Sequence, residues 1–121
     1  MNKLLQLFEG KEFIFLDGGT GTLLQQQGIE IGKVPEVLNF THPELIQKIQ
    51  RSYIEAGSDV ICTCTFGISE HKIAGCGYSV EELMAEAVKN AKAAAAGTGA
   101  KVALDIGPIG RMLEPNGNLS F

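Results

Sequence analysis

Three short apolar runs in this chain each end in a polar turn that carries glycine, and segments with helical patterning lie between them. Phe13-Ile14-Phe15-Leu16 runs into Asp17-Gly18-Gly19, Asp59 to Phe66 runs into Gly67, and Lys101 to Ile106 runs into Gly107-Pro108. Continuous apolar runs of this length, rich in β-branched and aromatic residues and closed by glycine, read as strands, the first of them buried on both faces. The order strand, helix, strand, helix, strand implies an α/β chain with a parallel sheet and right-handed crossovers. In such folds ligands bind at the C-terminal ends of the strands, so the three turns are expected to form one side of a pocket.

The intervening segments have their own punctuation. Thr20 to Gln27 has helical character and stops at Gly28, which suits a C-cap. Residues 29–40 read as a loop holding Pro35. Thr41, Pro43 and Glu44 predict a helix start in which Thr41 caps and Glu44 completes a capping box. Leu45, Ile46, Ile49, Tyr53 and Ile54 then recur at helical spacing up to Gly57. Ser79 and Glu82 form a second capping-box pair, followed by a stripe of Leu83, Met84, Ala87, Val88 and Ala91 that stops at Gly97 or Gly99. The opening residues, 1–13, read as a short helix leading into the fold, because their apolar stretch is too short for a secretory signal.

Composition excludes several classes. At 45% hydrophobic and 20% charged residues the chain is expected to fold. Its net charge is -4 and its Lys and Arg residues are scattered, a poor basis for binding nucleic acid or an anionic membrane. No window approaches the roughly 18 apolar residues of a membrane span. Three cysteines without a signal peptide predict reduced thiols in a cytoplasmic protein.

Among candidate functional residues, the Asp17 turn comes first. Glycines at a strand end let backbone amides approach a ligand, and an acid beside them can pair with an ammonium group; a tight structural turn is the plainer alternative. A dinucleotide fingerprint fails because Leu24 occupies the place of its third glycine. Phosphate loops of the sugar-kinase kind use similar runs, but join antiparallel strands where a glutamine-rich helical segment follows here. Cys62 and Cys64 alternate on one strand face without the second pair that structural zinc sites use, so they read as buried thiols, and Cys76 as an incidental loop thiol. His42 and His71 read as solvated. Asp105, a carboxylate at the end of an apolar strand, reads as a pocket residue.

Taken in order, four stretches resemble the signatures of the homocysteine S-methyltransferase family. They are Asp17-Gly18-Gly19-Thr20-Gly21-Thr22; Pro35 to Glu44; Tyr53 to Ile61 running on to Thr65-Phe66-Gly67; and Asp105 to Gly110 with Leu113-Glu114-Pro115. The last has the form common in cobalamin-dependent methionine synthases. This resemblance implies that residues 1–121 are the N-terminal β-α-β-α-β portion of a TIM (β/α)8 barrel, incomplete here because a whole barrel takes roughly 250 residues. It implies methylation of the homocysteine thiol to give methionine, with Asp17 on the substrate ammonium, Gly18, Gly19 and Thr65 against its amino-acid end, and Asp105 at the same mouth. Zinc is implied as the thiol activator, with ligands outside this chain; cobalamin is a possible methyl carrier of the parent protein. No catalytic or metal-ligating residue is assigned within residues 1–121, and Cys64 stands where the family commonly has asparagine. The chain alone is expected to be inactive and to self-associate through its open sheet. A non-catalytic half-barrel serving assembly or binding, and a phosphate- or nucleotide-binding loop, remain the alternatives.

Overall fold

Val60 stands at the middle of the sheet. In the computed structural model, which describes residues 3–120, Val60 pairs in parallel with Lys101 on one side and with Leu16 on the other. The regular ladder joins β1 (Val60–Cys62) to β2 (Lys101–Ala103). The helices are α1 (Lys3–Gln6), α2 (Gly21–Gln26), α3 (Leu38–Thr41), α4 (Pro43–Glu55) and α5 (Val80–Ala95). The chain is thus a mixed α/β fold with parallel pairing, as its alternating pattern predicts. Among the described residues no helix is long and apolar enough to cross a membrane.

The helices α4 and α5 lie side by side against one face of the sheet. Ile61 packs there with Ala91, Ala94 and Ala95, backed by Tyr53, Ile54 and Val102. Alanines at the helical contact positions allow the backbone of α5 to come close to the strands. A second cluster joins Leu24 of α2 to Ile46 and Ile49 of α4, and a third joins Ile68 and Ile73 to Leu83 of α5. Ser79 caps α5 as predicted: its side chain accepts the Glu82 N–H and the Glu82 carboxylate accepts the Ser79 N–H. Gly28, Gly57 and Gly97 take positive φ just beyond α2, α4 and α5, a backbone state that glycine adopts without penalty.

Several expectations are corrected. The first apolar run does not become a strand buried on both faces. Only Leu16 makes a ladder bridge, and Phe13, Phe15 and Leu16 are 65%, 62% and 64% exposed. Among the described residues the run pairs with β1 alone. The second and third runs are also shorter as ladder than 59–67 and 101–106, because side-chain hydroxyls replace backbone partners beyond the bond from Thr63 N–H to Ala103 O. Residues 29–40 are not merely a loop: a 3₁₀ turn at Pro35–Val37 leads directly into α3. That turn changes the start of α4. Thr41 is already helical, its hydroxyl bonds back to Val37 O at 3.5 Å, and His42 takes the N-cap position without a side-chain cap.

Candidate functional site

Where β1 ends, the backbone curls. Thr63 N–H still reaches Ala103 O at 2.9 Å, but Thr65 N–H turns back to Thr63 O at 3.0 Å. Hydroxyl groups then take over the pairing with the neighbouring strand end. The Thr63 hydroxyl accepts the Asp105 N–H at 3.2 Å, the Thr65 hydroxyl donates to Asp105 O at 2.5 Å, and the two hydroxyls share a bond of 2.7 Å. Both threonines are buried. They hold Asp105 at a fixed position while splaying the two backbones apart, which opens a cleft between the strand ends.

That cleft has a volume of about 460 Å³. Asp17, Gly18, Gly19, Thr65 and Asp105, the residues singled out from the sequence, all line it, with Glu36, Cys62, Cys64 and Phe66. Asp17 is anchored by the Cys62 N–H, which donates to its carboxylate at 2.9 Å. The glycine turn behind it is held by Tyr53, whose hydroxyl donates to Gly19 O at 2.6 Å. A Cβ at Gly18 would stand 3.0 Å from that hydroxyl, so glycine lets the turn lie against α4. The turn runs into α2 and not into an antiparallel strand, unlike the phosphate loops it resembles in composition. Gly107 allows a closer approach still: a Cβ there would sit 2.0 Å from Phe66 O, so the turns after β1 and β2 cross in contact.

Sequence reasoning missed Glu36. It is buried, it lines the cleft, and its carboxylate accepts the Gly67 N–H at 2.6 Å. Asn39, one helical turn on, donates to Glu36 O and to Cys64 O, each at 2.9 Å. Asn90 of α5 donates in turn to Asn39 O at 2.9 Å, and Gln47 of α4 donates to Asn90 Oδ1 at 3.0 Å. This buried chain of amides fixes the 3₁₀ turn against the strand ends. The only local signal for it was a polar Glu36 and Asn39 set among Pro35, Val37 and Leu38.

The cysteines are half-buried, not fully buried as their residue type suggested. Burial first, then the charge of Asp17, pushes the Cys62 thiol up to about 11. Burial first, then the charge of Glu36, pushes Cys64 up to about 12. Cys76 stands elsewhere, packed beside Ile73 and Leu83, with its thiol on Tyr78 O at 3.5 Å. His42 and His71 are exposed, as expected. Among the described residues no group of three His, Cys, Asp or Glu is placed to hold a metal ion, and two cleft thiols alone fall short of the ligands a zinc site takes. The residues present do not fit a zinc site.

The homocysteine S-methyltransferase family model matches residues 14–121. Betaine–homocysteine S-methyltransferase 1 of Pongo abelii is 30% identical over 90 residues, covering 73% of this chain and 22% of that protein. Methionine synthase of Mycobacterium tuberculosis is 39% identical over 57 residues, covering 42% of this chain and 5% of that protein. The metallated form of the homocysteine methyltransferase MmuM from Escherichia coli superimposes with a TM-score of 0.81 at 25% identity, over 90% of this chain and 42% of that one. The chain therefore spans about a fifth of the length of the first of these relatives, 22%.

Proposed function

Since this chain belongs to the homocysteine S-methyltransferase family, we propose that it forms the homocysteine-binding wall of such an enzyme, as the N-terminal β-α-β-α-β portion of a TIM (β/α)8 barrel. The observation that carries this reading is the convergence of Asp17, Gly18, Gly19, Thr65 and Asp105 on one cleft at the strand ends. Asp17, oriented by the Cys62 N–H, pairs with the substrate ammonium. Gly18 and Gly19 present backbone without side chains to the amino-acid end. Thr65 holds Asp105 at the mouth.

In this role the chain binds and orients but does not activate. A thiol attacks a methyl donor as the thiolate, and a free thiol has a pKa of about 8.5. The negative charge that helps keep Cys62 and Cys64 protonated acts in the same direction on a substrate thiolate set among the same carboxylates. Activation is therefore assigned to zinc held by ligands outside this chain, and the methyl donor, cobalamin-borne in a methionine synthase type of parent, to other parts of the enzyme. We place the parent protein in the cytoplasm, where its thiols stay reduced.

Calorimetric titration of homocysteine into the chain, with and without zinc, tests the assignment. Binding that is indifferent to zinc, lost in Asp17→Asn, and accompanied by no methyl transfer is the expected result. Absence of binding would overturn the role given to the cleft. Zinc-dependent binding, or turnover by the chain alone, would overturn the division of labour between binding and activation.

A further inference from the structure

Glu36 keeps one carboxylate oxygen without a partner in a place that water reaches poorly. The residue is 6% exposed. Its Oε1 accepts the Gly67 N–H at 2.6 Å, while Oε2 is buried and has no hydrogen-bond partner among the described residues. A Cβ at Gly67 would lie 2.6 Å from Oε1 and 2.9 Å from Oε2, so the carboxylate lies against the glycine and is held there. An unsatisfied buried acceptor is costly, and native structures rarely keep one without a reason. Glu36 lines the cleft, whose lining also holds Asp17 and Asp105 and no lysine or arginine. The charge left uncompensated in the cleft is negative, and the group that complements it is a cation bearing N–H donors.

We propose that Glu36 Oε2 accepts a hydrogen bond from the ammonium group of the amino acid bound in the cleft, a second carboxylate on that group beside Asp17. This rests on the reading of the cleft as the homocysteine site. One consequence concerns the neighbouring turn. Because Oε1 of the same carboxylate holds Gly67, the ligand ammonium and the Thr65-Phe66-Gly67 turn share one anchor.

Glu36→Gln separates the two roles. The amide keeps an oxygen for Gly67 N–H but places an NH₂ donor where the ammonium needs an acceptor. Homocysteine and γ-mercaptobutyrate, which lacks the amine, are titrated by calorimetry into the full chain and the variant, with a circular dichroism melt to follow folding. Homocysteine affinity is expected to fall about tenfold or more in E36Q, while γ-mercaptobutyrate affinity stays within about twofold. Unchanged homocysteine affinity, or equal weakening for both ligands, would overturn the assignment and make Glu36 a structural clamp on Gly67. That result would leave the homocysteine reading intact, whereas failure of the unmutated chain to bind homocysteine would remove both. Should E36Q not fold, the Gly67 amide resonance of the unmutated chain decides. It is expected to move with homocysteine and not with γ-mercaptobutyrate, and a resonance indifferent to both ligands overturns the proposal.

Discussion

Asn39 and Asn90 are buried amides whose hydrogen bonds run between elements and not within them. Asn39 donates to two backbone carbonyls, Glu36 O and Cys64 O, and both residues belong to the wall of the cleft. Asn39→Ala leaves both carbonyls without their side-chain donor. The expected cost is about 2–3 kcal/mol in urea denaturation, and a loss below about 0.5 kcal/mol would mean that the network is dispensable. The cleft thiols make a pH prediction with a definite sign. Cys62 and Cys64 are raised from 9.0 to about 11 and about 12, so the folded chain holds these protons more tightly than the unfolded chain. Their contribution to stability is complete below the unfolded value and is lost as pH rises through the folded values. Urea melts at about pH 8 and about pH 10.5 are expected to show lower stability at the higher pH, with the difference reduced in C62S/C64S. Asp59 behaves in the opposite sense. The Lys11 side chain bonded to it, with the Phe15 N–H, lowers its pKa, so the tie between the first apolar run and β1 weakens as pH falls through the acid range.

Two capping-box signatures of the same form had different outcomes, and the helices show why. Ser79 and Glu82 find each other because extended chain precedes α5, leaving Ser79 free to adopt the cap conformation. Thr41 and Glu44 do not, because α3 runs straight up to His42 and Thr41 is already part of it. Ser79→Ala is therefore expected to destabilise the chain by about 1 kcal/mol. Thr41→Ala is expected to change stability by less than about 0.5 kcal/mol, and equal effects in thermal melts would contradict the observed caps. The residues of the strand ends were legible for a related reason. Asp17 directly follows its apolar run, and Thr65 and Asp105 stand one residue before the end of theirs, so locating the run locates the residue. Glu36 follows no periodic segment, and its position in the cleft depends on the Gly67 N–H and, through neighbouring Asn39, on Asn90, both distant in sequence.

Across the whole molecule, the helices cover one side of the sheet and leave a band of apolar side chains in water. Phe13, Phe15, Leu16, Leu104 and Ile106 are each at least half exposed, Ile106 at 76%. Exposed apolar side chains beside an open strand edge favour association. Light scattering is expected to report oligomers that F13K/F15K shifts toward monomer; a stable monomer of the unmutated chain would count against this. The alternation of apolar runs with amphipathic segments determined by itself that the chain would be α/β with parallel pairing, because period and punctuation are local properties of neighbouring residues. It also determined which side chains would stand at the strand ends. The tertiary structure alone decided that the first run would pair on one side only, that threonine hydroxyls would replace backbone pairing beyond Thr63 N–H, and that a buried Glu36 would join the cleft. Each of these depends on hydrogen bonds between groups remote in sequence, and no local pattern records which distant donor a buried acceptor will meet.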